Sequence, residues 1–271
     1  MFNLLNESFS RLKKDLTFKV CLIIVLAIPV LIISMEKILL NIFNENPSGF
    51  NAANECLFMI TGMLPLFIAI AAGFFIASDF KQNTVRNKII CGYSRTSIYM
   101  ANWITSVCIT LIYHIASTIV SMAVGSILFE PGEIFTKVNI YYSLVCIPVL
   151  ISFTSITVTM TMMLKNAAGA IFSYFIHEIF GLFNIVIILL NNEVLKKFLC
   201  YFLPSNQLNM IVSRNYLAAD LSIDDTEEIM SVARYAIPKG FDAAALPIYA
   251  IILIAAVTAL GIWHFNKKDV K

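Results

Sequence analysis

Charge is what this chain has least of. Only 13% of its 271 residues are Asp, Glu, Lys or Arg, against 59% that are hydrophobic. A soluble domain carries about 25% charged residues, so water is not the solvent for most of this surface. A net charge of +2 is also too small to make nucleic acid a bulk electrostatic partner. The six cysteines (Cys21, Cys56, Cys91, Cys108, Cys146, Cys200) include no CxxC pair and lie mostly in apolar runs, where a thiol acts as a small hydrophobe. That excludes a zinc site or disulfide framework as the organising feature, and leaves Cys56 with Cys200 as the one pair worth testing. His114, His177 and His264 show no HExxH spacing, and no nucleophile–base arrangement can be built around them. Neither GxxxxGKS nor GxxxxGKT occurs, so the chain binds no ATP through a P-loop. Internal repeats and low-complexity tracts are also missing.

What the chain does have is long apolar runs. Six approach or exceed the roughly 20 residues that cross a bilayer core of about 30 Å: Phe18–Leu40, Leu57–Ala77, Tyr99–Leu128, Ile140–Leu164, Ala167–Leu190 and Ala244–Phe265. Backbone groups in lipid must bond within their own segment, so these runs are read as helices. The first is too long for a cleavable leader, with no small-residue cleavage site after it. The fold class expected is therefore an all-α polytopic membrane protein, with residues 1–271 forming one transmembrane domain.

Sidedness follows from the basic residues. Residues 1–19, the 78–97 loop, Lys165 and the C-terminal tail hold 12 of the 19 Lys and Arg and only four acids, whereas the other side holds seven basic residues against twelve acids. The first side is expected to be cytoplasmic, with both termini there.

The segments between spans are informative too. Phe2, Leu5, Phe9, Leu12 and Leu16 recur at 3,4,3,4 spacing and line one helical face, while Arg11, Lys13 and Lys14 lie off it. Residues 1–17 are thus expected to form an interfacial helix lying on the membrane. Spans four and five are joined by little more than Lys165-Asn166, which forces a tight hairpin. The long outer segment, 191–243, contains apolar faces on either side of Pro204: Val194, Leu195, Phe198, Leu199 and Phe202 before it, and Leu208, Ile211 and Val212 after it. Short amphipathic helices dipping toward the bilayer account for both. The acidic run Asp220, Asp224, Asp225, Glu227 and Glu228 lacks EF-hand spacing and is read as a solvated loop.

Residues 79–97 carry the most information. Thr84 is placed to cap a short helix with its body at Val85 to Cys91, ended by Gly92 in a left-handed conformation. Ser94 or Thr96 then caps the third span. Val85, Ile89 and Ile90 offer an apolar ridge, and Arg86, Lys88 and Arg95 supply charge, a pattern suited to a groove on a soluble partner. An ordinary positive-inside loop would also fit.

In residue order the segment reads Asp79, an aromatic, a basic residue, then Thr84, Arg86-Asn87-Lys88-Ile89, Gly92 and Ser94-Arg95 ahead of a span. That pattern resembles the cytoplasmic coupling segment of ABC type-2 exporter permeases, most nearly the bacterial branch that includes antibiotic and lantibiotic self-protection exporters. The family usually has Gly where Asn83 stands, and Asn also tolerates a left-handed backbone. It usually has Glu in place of Asp79, one carbon longer. In residue detail the likeness is specific only to 79–97; in architecture it covers the whole chain. It implies a permease subunit without enzymatic activity of its own, in the plasma membrane of a bacterium. The chain would bind no cofactor, ATP and Mg being handled by separate ABC ATPase subunits. It would pair with a second permease copy or paralogue, surrounded by lipid, and move an amphiphilic compound such as an antimicrobial peptide or drug. Sodium or another small ion is the runner-up cargo.

Inside the spans, Tyr174, His177, Gly181 and Asn184 fall on one face of the fifth helix at i, i+3, i+7 and i+10, with Glu178 alongside. A carboxylate near the midplane costs about 2.5–3.5 kcal/mol, so it belongs against protein or a wet cavity. This group is the candidate translocation path or dimer interface; a plain interhelical hydrogen bond is the bland alternative. His114 reads as a packed helix–helix donor. The hydroxyls of Ser152, Thr154, Ser155, Thr157, Thr159 and Thr161 read as packing groups, and Pro29, Pro65 and Pro148 as span interruptions. The rival class is an ATP-independent secondary transporter or channel using His177 and Glu178 as a proton relay, and no paired inverted repeat supports it.

Overall fold

A computed structural model describes residues 1–43, 61–128, 137–189, 192–218 and 242–267. The described residues form helices and no strands. In chain order these are α1 (Phe2–Leu12), α2 (Leu16–Phe43), α3 (Thr61–Lys81), α4 (Thr84–Ile90), α5 (Arg95–Leu128), α6 (Lys137–Leu164), α7 (Ala168–Leu189), α8 (Glu193–Phe202), α9 (Pro204–Ala218) and α10 (Leu246–Lys267). A short 3₁₀ turn, Ala243–Ala245, leads into α10.

Among the described residues, five helical stretches are long and apolar enough to cross a membrane: Leu16–Leu39, Thr61–Lys81, Arg95–Leu128, Ile140–Leu164 and Ala243–Lys267. The 34 residues of α5 reach about 51 Å at 1.5 Å per residue, so this helix projects beyond a bilayer core. In α7, of 22 residues, the described apolar stretch is Ala168–Leu182. Pro29 and Pro148 lie within continuous helices, as membrane helices allow when neighbours satisfy the freed carbonyls.

At the centre is α6, which touches α3, α5, α7, α9 and α10, while α2 packs on α5. The hydroxyl-rich stretch of α6 explains this position. Its Ser and Thr side chains bond back to their own helix, and four also reach across: Tyr99 Oη to Thr159 Oγ1 at 2.8 Å, Trp103 Nε1 donating to Ser155 Oγ at 2.9 Å, Thr110 Oγ1 to Thr154 Oγ1 at 2.7 Å, and Ser173 Oγ donating to Thr157 Oγ1 at 3.1 Å. Small, self-satisfied side chains let helices approach closely and still hydrogen-bond between them. His114 Nε2 lies 3.0 Å from the Ser143 carbonyl oxygen, a contact between α5 and α6. Cys200 is a buried free thiol; Cys56 and the acidic run lie outside the described residues.

The interfacial helix departs from its expected face. In α1 the buried residues are Leu4, Ser8 and Leu12, at i, i+4 and i+8, whereas Phe2 and Leu16 are exposed and Leu5 and Phe9 are half-buried. Packing against α5 selects a face rotated from the apolar stripe. The rest of the stripe, Phe2, Leu5, Phe9 and Leu16, stays exposed or half-buried.

Candidate functional site

The segment after α3 folds as a compact helical turn. Asn83 takes the left-handed conformation (φ 56°, ψ 17°) and makes no side-chain cap. The expected cap at Thr84 is thereby corrected: the helix starts at Thr84 because the backbone reverses at Asn83. At the other end Gly92 has φ +89°. The Tyr93 N–H donates to the Lys88 carbonyl at 3.1 Å and the Gly92 N–H to the Ile89 carbonyl at 3.0 Å, which closes a Schellman motif. Ser94 Oγ accepts from the Ser97 N–H at 3.2 Å and so caps α5. Arg95 Nη1 donates to the carbonyls of Phe265 and Asn266, at 3.3 and 3.0 Å, which ties the start of α5 to the end of α10.

Beneath this turn lies a group of paired ions with buried Asp79 and Lys88 at its centre. Asp79, 0% exposed near the end of α3, pairs with Arg11 of α1 through Oδ1 and with Lys88 of α4 through Oδ2 at 3.5 Å. Lys88 Nζ also meets Glu7 Oε1 at 3.2 Å. Arg11 Nη2 donates to the Phe75 carbonyl at 3.3 Å, and its guanidinium stacks 4.3 Å over the Phe75 ring. Two acids and two bases thus fasten three helices at one point. Burial lowers the proton affinity of Arg11, opposed by Glu7 and Asp15. It lowers that of Lys88 too, opposed by Glu7. A buried charge survives only when paired, and here the pairing crosses from α1 to α3 to α4.

This clamp divides the sequence-derived candidates. Asp79, Val85 and Lys88 face inward, and Ile89 packs half-buried on the core. Asn83, Arg86, Asn87 and Ile90, at i, i+3, i+4 and i+7, face out, with Ile90 72% exposed. The expected outward ridge of Val85, Ile89 and Ile90 is therefore corrected: two of the three anchor α4, and only Ile90 points away. Thr84 and Arg95 are half-buried, while Gly92 and Ser94 are exposed. Glu7 and Arg11 belong to this site and were read from sequence only as part of a surface helix. A carboxylate at the end of an apolar helix demands counter-charges, but sequence does not say which residues supply them.

The second group of candidates lies on α7. The five residues Ala69–Gly73 of α3 form a π-helical turn, the kind of local widening often found at functional sites. Gly73 abuts Ala170 of α7 so closely that any side chain at Gly73 would collide with the Ala170 methyl. Beside this contact, Leu66, Ala69, Ile70, Phe74, Ala170, Ile171 and Tyr174 line a cleft of about 220 Å³. Tyr174 interacts with Glu178 one turn on. Glu178 is exposed among Phe172, Phe175, Ile179 and Leu182, which are exposed too. His177 faces the other way, 8% exposed, with its ring 4.8 Å from that of Phe153 in an edge-on contact. The Asn184 side chain lies outside the described residues.

These features define a helical membrane protein that carries a charge-clamped helical turn at one end and a carboxylate on an apolar outer face. The chain belongs to the family described as "Protein of unknown function (DUF2705)", matched over residues 18–271. No curated protein matches it.

Proposed function

We propose that this chain is the permease subunit of an ATP-driven ABC exporter in a bacterial plasma membrane. In this reading α7 completes a set of six spans and both termini are cytoplasmic. The ATPase is a separate protein that seats on the outer face of α4. The observation that carries the reading is the two-sidedness of α4. Its inner face is locked by ion pairs to α1 and α3, while Asn83, Arg86, Asn87 and Ile90 are turned away from the bundle. A partner pushing on that face moves α1, α3 and α4 together, because separating them strands a buried charge. Nucleotide-driven closure then biases a two-state bundle, and cargo is expelled through its different affinity for the two states.

Glu178 supports pairing with a second permease. A carboxylate facing acyl chains near the midplane costs about 2.5–3.5 kcal/mol, which a facing copy or paralogue removes by covering it. Cargo of amphiphilic character, such as an antimicrobial peptide or drug, suits walls with so few fixed charges. A relay through His177 and Glu178 has less support, because His177 packs against Phe153 and Glu178 is exposed.

Copurification of a cytoplasmic ATPase with the chain tests the proposal. Arg86→Glu with Ile90→Asp should abolish association without lowering the thermal stability of the permease. Association at the wild-type level would overturn it.

A further inference from the structure

The corner where α1 turns into α2 holds three lysines whose charge the chain itself does not answer. Elsewhere the cations near the clamp are committed. Arg11 pairs with Asp79, and Lys88 is shared between Asp79 and Glu7. Arg95 donates to the carbonyls of Phe265 and Asn266, and Lys267 lies 4.4 Å over the Trp263 ring. Lys13, Lys14 and Lys19 are all exposed, and none of the ion pairs among the described residues includes them. The acid that lies among them in sequence, Asp15, is half-buried and accepts from the Phe18 N–H at 2.8 Å.

The same corner exposes apolar surface. Leu16 is 74% exposed and heads a stripe of α2 with Val20 and Ile23, which are exposed too. Lys19 lies on that stripe, three residues after Leu16 and four before Ile23. The stripe opens Leu16–Leu39, a stretch long and apolar enough to cross a membrane. With acyl chains around Ile23, the Lys19 ammonium must reach back toward the first turn of α2 to stay among polar groups, as lysines at span ends do. That brings it toward Lys13 and Lys14. Water answers the three lysines but not Leu16, and hydrocarbon answers Leu16 but not the lysines. Acyl chains bounded by negative charge answer both.

We propose that the α1–α2 corner docks on anionic phospholipid headgroups through Lys13, Lys14 and Lys19, with Leu16 set among the acyl chains beside them. Each lysine close to an anionic membrane surface strengthens association about fivefold. A free phosphate ion would meet the lysines and leave Leu16 in water, so lipid is the occupant that fits the whole corner. Arg11 lies two residues before Lys13 and joins α1 to Asp79, so lipid held at the corner also steadies α1 against the clamp. The contact uses nothing on the outer face of α4 and stands whether or not an ATPase seats there.

Thermal unfolding of the purified full-length protein in an uncharged detergent tests the proposal, with dioleoylphosphatidylglycerol, dioleoylphosphatidylcholine or inorganic phosphate added. Phosphatidylglycerol should raise the midpoint saturably, by about 2–4 °C, and the other two should not. Replacing one lysine by Gln should raise the phosphatidylglycerol concentration for half the effect about fivefold. Lys13→Gln, Lys14→Gln and Lys19→Gln together should abolish the response, whereas Lys197→Gln on α8 should leave it unchanged. Equal responses to the two lipids would overturn the proposal. So would a response to inorganic phosphate as large as that to phosphatidylglycerol, or a phosphatidylglycerol response undiminished in the triple variant. The three lysines are exposed and the lipid comparison needs no variant, so a decisive result does not hang on the folding of any substituted protein.

Discussion

Asp79 and Glu178 are both carboxylates on long apolar helices, yet they sit in opposite circumstances. Asp79 is fully buried and meets two cations from two other helices, so its charge is balanced inside one chain. Glu178 is exposed among exposed aromatic and aliphatic side chains, with Tyr174 as its neighbour on the same helix. The first is part of the framework, because removing it strands charge in the interior. In the proposed six-span arrangement the second is a demand on the surroundings, since lipid cannot satisfy it. Like chemistry in like helices thus separates what the chain holds together from what it offers to another molecule.

The sharpest way to break this contrast is Asp79→Asn. It leaves Lys88 buried and Arg11 half-buried, with Glu7 and Asp15 as the remaining acids near them among the described residues. Removing one member of a buried ion pair costs about 3–5 kcal/mol, so the expected outcome is a large loss of folded protein in detergent. Denaturant unfolding followed by tryptophan fluorescence measures it. A cost below about 1 kcal/mol would mean that the clamp is no more than a surface salt bridge.

The clamp also shows where sequence reasoning reaches and where it stops. The left-handed Gly92, Ser94 as one of two candidate caps and the helical course of the spans were legible, because each depends on a few neighbouring residues and their backbone preferences; at Asn83 only a tolerance for the left-handed backbone was, and the cap was expected at Thr84 instead. The hydroxyls of α6 were legible as packing groups for the same reason. The inward turn of Lys88 was not. A lysine in a basic loop reads as a solvated charge, and its burial depends on Asp79 nine residues away and on Glu7 in another helix. Arg11 is 68 residues from the carboxylate it serves, a separation no periodicity encodes. The face of α1 was misjudged for a related reason: hydrophobicity alone placed the stripe, whereas ion pairing and packing on α5 turned Leu4, Ser8 and Leu12 inward. At the start of α9, Ser205-Asn206-Gln207 has the composition of a solvated turn, and only the enclosing helices make it an interior.

Within the clamp, Glu7→Gln should sharpen the comparison by grading it. Glu7 is 43% exposed, so its pairing with Lys88 at 3.2 Å is screened by water. The expected loss is about 0.5 kcal/mol. In the Asp79→Asn background the same substitution should cost more, because Glu7 is then the nearest remaining counter-charge for Lys88. A double-mutant cycle reads that coupling directly. Strict additivity would show that Lys88 does not share its charge between the two acids.

Glu178→Gln should have the smallest effect on the isolated chain and is the most informative about partners. In detergent, where no neighbour need cover the helix, stability should change by less than about 0.5 kcal/mol, as for other exposed positions. In a bilayer the substitution acts on association instead. With a single cysteine in place of the exposed Phe175 in a cysteine-free background, wild-type Glu178 should give disulfide-linked dimers on mild oxidation, and Glu178→Gln should alter their yield. If the carboxylate faces a second copy, loss of its charge changes a contact between chains and the cross-linking pattern responds. If the yield is unchanged, and transport with it, Glu178 is tolerated in lipid without a covering chain. Its exposure would then mark no interface, and the contrast with Asp79 would reduce to burial alone.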